Sequence, residues 1–248
     1  MIWSQCNGTQ AIHTIRGTLH RLVESQQAIA TLDYVDTLEE QAVLESLLEG
    51  SKPAWPPDSG RHHYLLRTPF RYPPLTWGSR FGHADEPSLL YGGLSTHTTL
   101  AEAAYYRFVF FLSMAQPAPK AAIHSQHTLF TTGYRTPQGI QLQFPPFASH
   151  AAQLAHRSDY RETQALGTDM RAAGVLAFEY PSARDTKPGL CVGLFSIQAL
   201  ADTKPRTQRA WLCQTSAHDV TFKPENGPEI ISFHLADFLL DGILPRPA

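Results

Sequence analysis

The sequence predicts an α+β fold, a mixed sheet core with flanking helices. Three observations carry that reading. Helix-like and strand-like runs follow each other in mixed order, with no steady βαβ rhythm, which argues against a doubly wound sheet. The β-branched and aromatic runs gather in the later chain, at 127–132, 175–180, 190–195, 210–213 and 219–222. The 248 residues, 42% hydrophobic and 17% charged, suit one large globular domain with appendages.

The chain opens with a mixed region. Ile12, Ile15, Leu19, Leu22 and Val23 recur at three- and four-residue spacing, so residues 12–30 read as a helical stripe. Asp36-Thr37-Leu38-Glu39 has the form of a capping box. Leu44, Leu47 and Leu48 follow on one helical side, and Gly50 is a natural stop. Residues 51–60 hold three prolines, which remove amide donors, so they read as a linker. Residues 1–60 are thus expected to be a helical extension with its linker, and 61–248 the main domain. Tyr64-Leu65-Leu66 reads as a short strand, followed by an irregular segment carrying Arg67 and Arg71.

The stretch 77–107 organises the rest. Trp-Gly-Ser-Arg-Phe-Gly reads as a glycine-hinged loop, Leu-Leu-Tyr-Gly-Gly-Leu as a short strand, and the residues after Ser95 as a helix. Arg80, Tyr91 and Glu102 fall at even steps of 11 and 11 residues. A cation, an aromatic face and a carboxylate then stand at the ends of three consecutive elements, where active sites are commonly built. Leu100, Ala104, Phe108 and Phe111 lie on one helical face, with Tyr105, Tyr106 and Val109 on the other. A helix apolar on both sides is buried between layers. Residues 144–147 read as a loop, 160–173 as a helix closed by Gly174, and 181–189 as a polar turn carrying Ser182 and Arg184. Residues 230–240 fit a last helix or a last strand.

Composition excludes several functions. A formal net charge of −2 gives no electrostatic reason for nucleic-acid binding. No apolar run approaches the ~18–20 residues that span a bilayer, so membrane contact is not expected. The first residues lack the basic head and apolar run of a signal peptide, and a cytoplasmic location is expected. Cys6, Cys191 and Cys213 are too few and scattered for a disulfide framework or a zinc motif. His62 and His63 point to opposite faces of a strand, and nothing completes a site around His124 and His127. No metal is expected. The chain has no P-loop, no GxGxxG and no GxSxG elbow around Ser182.

The candidate chemistry rests on few residues. Arg67, Arg71, Arg80 and Arg184 could grip an anion, since guanidinium binds phosphate in a bidentate fork. They could equally be solvated surface arginines. Glu102 could be the carboxylate of a second capping box, Thr99-Leu100-Ala101-Glu102, a reading the residues alone favour. It could instead stabilise positive charge developing on a sugar. Tyr91 is either a core tyrosine or an aromatic face for a planar ring. Ser182 alone reads as a turn residue.

The set of motifs resembles the RES-domain family. Trp77-Gly78-Ser79-Arg80-Phe81, Leu90-Tyr91, Thr99-Leu100-Ala101-Glu102 and Tyr180-Pro181-Ser182-Ala183-Arg184 occur in the family's order, over roughly residues 62–200. The resemblance implies an ADP-ribosyltransferase-like fold and the toxin half of a bacterial toxin–antitoxin pair. It implies NAD+ as substrate, cleaved by hydrolysis or phosphorolysis, and an Xre-type antitoxin as partner. Arg80, Tyr91, Glu102 and Ser182 take the family's site positions. Arg67 is a further candidate for a basic residue that the family often has on its first strand. Arg71 or Arg184 would favour phosphate as co-substrate, and no other cofactor is implied. Gly82 departs from the asparagine of many compact members, and the terminal regions exceed theirs, which leaves oligomerisation open. Transfer of ADP-ribose to a protein is the alternative activity, and a non-catalytic interaction module the third reading.

Overall fold

The computed structural model describes residues 1–25, 34–115 and 120–246. Eight strands form one mixed sheet: β1 (His13–Glu24), β2 (Leu90–Gly93), β3 (Ala122–Gln141), β4 (Ala177–Pro181), β5 (Leu190–Leu194), β6 (Thr207–Ser216), β7 (Asp219–Pro224) and β8 (Ile231–His234). Their order is β1-β2-β5-β4-β3-β6-β7-β8, with a further pairing of β1 to β3. That pairing closes β1, β2, β5, β4 and β3 into a ring, and β6 to β8 continue outward from the long β3. Only β3 and β4 pair in parallel. Among the described residues six α-helices accompany them: α1 (Ile2–Gln5), α2 (Leu38–Gly50), α3 (Tyr64–Arg67), α4 (Thr96–Leu112), α5 (Ala151–Leu154) and α6 (Arg161–Ala172). The α+β expectation holds. No described helix is long and apolar enough to cross a membrane.

Two sequence expectations fail, each for a period that fits two structures. Residues 13–24 form a strand, not a helix. Ile15, Leu19 and Val23 lie four apart, which suits a helix turn and equally one face of a strand. Ile15 and Leu19 are buried inside the ring with Leu90, Tyr134, Val192 and Leu194. Residues 26–30 of that span lie outside the described residues. Because β1 pairs with β3 from His13↔Gly139 to Glu24↔His127, it belongs to the sheet itself rather than to an extension before it. Tyr64-Leu65-Leu66 is the first turn of α3 rather than a strand. Leu65 and Leu66 are both buried, and the His63 side chain caps the turn by accepting the Leu65 amide.

The other elements follow the sequence. Thr37 caps α2 by accepting the Glu40 amide, while the Glu40 carboxylate accepts the Asp36 amide. Gly174 closes the α6 region at φ +79°, and the Val175 amide reaches back to the Met170 carbonyl at 3.0 Å. Residues 230–240 prove to be both alternatives in turn, β8 and then a 3-10 turn at Leu235–Phe238. Helix α4 buries Leu100, Ala104, Tyr105 and Phe108 against Trp211, Phe222, Phe233 and Phe238. Each such large side chain contributes about 1.5–3 kcal/mol of burial. That packing fixes α4 across the sheet and sets its other edge against β1, β2 and β5.

Candidate active site

A cleft of about 460 Å³ opens between β1, β2, α4 and the loop before β2. Arg80, Tyr91, Glu102 and Arg184 line it, together with Arg21 and Tyr180. The structure therefore gathers four of the sequence candidates at one place, and Ser182 touches Glu102 from behind.

Glu102 does not cap its helix. The N-cap is Ser95, whose Oγ accepts the Thr98 amide at 3.1 Å, so Glu102 lies well inside α4 where the amides already have helical partners. Its Oε1 accepts the Ser182 hydroxyl at 2.5 Å and lies 3.8 Å from the Cys191 thiol. Ser182 Oγ in turn accepts the amides of Arg184 at 3.2 Å and Asp185 at 3.0 Å. With those lone pairs engaged, the hydroxyl proton has one direction left, towards Glu102. Asp185 Oδ2 then accepts Thr98 Oγ1 at 2.8 Å, and His97 Nδ1 lies 3.3 Å from it. The loop carrying Ser182 and the helix carrying Glu102 are thus fastened at two points, and the carboxylate of Asp185 sits at the positive end of α4.

The Arg80 loop is held by three groups. Gly78 adopts φ +72°, and a Cβ there would meet the Gly82 carbonyl, so the turn requires glycine. Tyr91 Oη accepts the Phe81 amide at 3.0 Å and shares a hydrogen bond with Ser79 Oγ at 3.1 Å. Gln164 of α6 donates to the carbonyls of Trp77 and Ser79, both at 3.1 Å. Phe81 is fully buried against Phe178 and Tyr180, with ring centroids 4.7 and 4.8 Å away. Arg80 itself donates to the His156 carbonyl at 2.7 Å and stacks its guanidinium 4.4 Å from the Tyr160 ring. Burial pushes the Tyr91 phenol up to about 12, so it stays protonated and anchored near neutral pH.

The cations of the cleft have only neutral partners. Arg184 is 2% exposed, lies 3.5 Å from the Tyr105 ring, and donates to the Arg157 carbonyl and Tyr160 Oη, while its Nη1 is buried without a partner. Arg21 donates to the Tyr91 carbonyl at 2.5 Å, and its Nε is buried without a partner. Among the described residues none of Arg21, Arg80 and Arg184 makes an ion pair. Burial pulls the Arg21 guanidinium down to about 10, which leaves it charged near neutral pH. Burial acts downward on Arg80 too, but Tyr160 and Glu102 outweigh it and the pKa is raised. Arg184 is the buried one of the three, an unpaired buried cation is costly, and an anion entering the cleft would reduce that cost.

Arg67 and Arg71 do not line the cleft, which corrects their expected place. Their guanidiniums lie 3.9 and 4.0 Å from the Trp55 ring. Arg71 also pairs with Glu49 at 2.7 Å and donates to the Pro53 carbonyl at 2.6 Å. They clasp residues 49–55 onto α3. β1 carries two arginines, Arg16 and Arg21, of which Arg21 lines the cleft. A helix over residues 12–30 gives no reason to place Arg21 there, and the sequence offers no other signal for it. Among the described residues no group of three His, Cys, Asp or Glu side chains is placed to hold a metal.

Fold and cleft together define a class: a mixed-sheet α+β protein whose cationic cleft faces a single ordered carboxylate. The RES domain family matches residues 54–216, well over half of the chain, and the chain belongs to that family. Membership points to NAD-related, toxin-like chemistry. No curated protein is detectably similar to the chain in sequence.

Proposed function

We propose that the protein cleaves the nicotinamide–ribose bond of NAD+, as the toxin of a bacterial toxin–antitoxin pair with an Xre-type antitoxin as partner. The observation that carries the reading is the convergence of three arginines without ion-pair partners, Arg21, Arg80 and Arg184, on the cleft that holds Glu102. The arginines bind the pyrophosphate. Tyr91 fixes the Arg80 loop through its hydroxyl and presents its ring to the nicotinamide riboside. As the C–N bond breaks, its electron pair goes to the pyridinium nitrogen, so nicotinamide leaves neutral and needs no general acid. Glu102 stabilises the oxocarbenium-like ribosyl cation, the charge that develops only in the transition state. Ser182 holds Glu102 Oε1, which leaves Oε2 for the sugar. Phosphate completes the reaction as ADP-ribose 1″-phosphate, or water as ADP-ribose and a proton.

A second reading is transfer of ADP-ribose to a protein. Trp77 and Tyr106, 46% and 51% exposed at the cleft, favour it by offering an aromatic lip to a macromolecule. Incubating purified protein with NAD+, with and without inorganic phosphate, tests both. Nicotinamide release that rises with phosphate supports phosphorolysis, and release indifferent to it supports hydrolysis. Label retained on protein supports transfer, and no release in any arm refutes NAD+ cleavage.

A further inference from the structure

A second cavity, of about 380 Å³, lies beside the first and shares Arg21, Pro73 and Ser88 with it. Glu102 lines the first cavity and not the second. Strand β2 pairs antiparallel with β1 at His20↔Gly93, so residues 21–24 of β1 run back alongside β2, and among the described residues no further β1–β2 pair forms there. Segment 64–73 stands against them instead, contributing Tyr64, Thr68 and Tyr72 to the wall, while β3 contributes Thr128. Tyr64 and Tyr72 are 48% and 41% exposed. The lining is mostly apolar, aromatic and hydroxyl-bearing, with Arg21 at one side and the Glu24 carboxylate on β1; aromatic surface with a few polar groups suits a flat heteroaromatic ring and its ribose hydroxyls.

We infer that this second cavity takes the adenosine half of the dinucleotide, with the pyrophosphate lying across Arg21 at the partition. The inference rests on the proposed NAD+ reading and extends it to the far end of the substrate. Three observations support it. A dinucleotide is two nucleosides joined by a dianion, and here two cavities are joined at a cation. Arg21 has spent one nitrogen on the Tyr91 carbonyl, but its Nε is buried with no partner, so a donor is left over at the partition. Arg80, Tyr91, Glu102 and Arg184 line the first cavity and not the second, while the second supplies stacking surface. Binding energy gained there would be remote from the reacting bond, the kind an enzyme uses to orient it.

The test is binding of adenosine 5′-monophosphate, measured by calorimetry on wild type, on Tyr64→Ala/Tyr72→Ala, on Thr128→Trp and on Glu102→Gln. Wild type and Glu102→Gln should bind it alike. The double tyrosine variant should bind at least about tenfold more weakly, the size of a lost base–aromatic stack. Thr128→Trp, which fills the cavity from the β3 wall, should lose binding even if removing the tyrosines disturbs folding. Absence of binding to wild type overturns the inference, as does equal binding by a folded tyrosine variant and by Thr128→Trp. These outcomes do not depend on turnover, so they stand apart from the failure of NAD+ cleavage itself. If NAD+ is cleaved, kcat/KM for NAD+ should fall in the tyrosine variant while that for nicotinamide mononucleotide, which lacks the adenosine, stays unchanged. Equal losses on both substrates would also overturn it.

Discussion

Ser182 Oγ stands 2.5 Å from Glu102 Oε1 while accepting two backbone amides of its own loop, so the hydroxyl acts as a fixed donor to that carboxylate. Replacing Ser182 with alanine should lower kcat for NAD+ cleavage about tenfold to a hundredfold, with KM changed much less, because the lost bond orients a group that works in the transition state. Glu102→Gln keeps the size and loses the charge. It should cost about a hundredfold to a thousandfold in kcat. Single-turnover nicotinamide release measures both, and unchanged turnover in Glu102→Gln would remove the catalytic assignment.

The arginines separate into two groups with opposite expected outcomes. Arg80→Ala and Arg21→Ala should weaken NAD+ affinity about tenfold or more, since each removes a charge-assisted donor from the cleft. Arg67→Ala should leave NAD+ affinity unchanged and lower stability by about 1 kcal/mol through loss of the Trp55 contact. Isothermal titration paired with urea unfolding resolves the four quantities. Equal small losses at Arg67 and Arg80 would contradict the placement of the anion site.

Tyr91 links loop and strand through its hydroxyl rather than its ring alone. Tyr91→Phe leaves the Phe81 amide without its acceptor and should cost about 1–2 kcal/mol. Loosening of the Arg80 loop should accompany it as faster amide exchange at Phe81, read by hydrogen–deuterium exchange. An exchange rate equal to wild type would show that Gln164 alone holds the loop.

Gly167 of α6 lets the helix approach the same loop, since a Cβ there would meet the Phe81 carbonyl at 2.1 Å. Gly167→Ala should therefore destabilise by about 1–3 kcal/mol and lower turnover together with Tm, because Phe81 adjoins Arg80. Wild-type turnover with a lowered Tm would uncouple the packing from the site.

Stability should rise with pH through the histidine range. His20, His62 and His127 have pKa values held below 6.5 by burial. Each folded value lies under its unfolded one, so between the two the unfolded chain binds more protons. The contribution is complete above about 6.5 and is lost as pH falls towards the folded values. His127→Gln should flatten this slope in urea unfolding compared at pH 5.5 and 7.5; an unaltered slope would clear His127 of the effect.

The sequence carried the site further than it carried the first sixty residues. Even spacing of Arg80, Tyr91 and Glu102 was legible because each sits at a signalled boundary: Gly78 at a turn, Gly92 and Gly93 at a strand end, Ser95 at a cap. Thr99-Leu100-Ala101-Glu102 offers a second box four residues beyond the cap at Ser95, and that alone sustains the structural reading of Glu102. Strand β1 was illegible for a different reason. Its apolar residues lie four apart, where helix and strand periods agree, and its partner β3 lies more than 100 residues away. The two arginines on Trp55 were chemically plausible ligands, and only tertiary packing could tell them from Arg21.

The ring of five strands sets an order of events during synthesis. β1 leaves the ribosome among the first elements, yet its pairing residues on β3 begin at His127. Loop closure over so long a separation is slow. Until β1 also meets β2, Arg21 has no Tyr91 carbonyl in place and the partition between the two cavities does not exist. On the proposed reading, a clipped chain that carries the family-matching residues 54–216 but not β1 would lack Arg21 and be inert towards a dinucleotide.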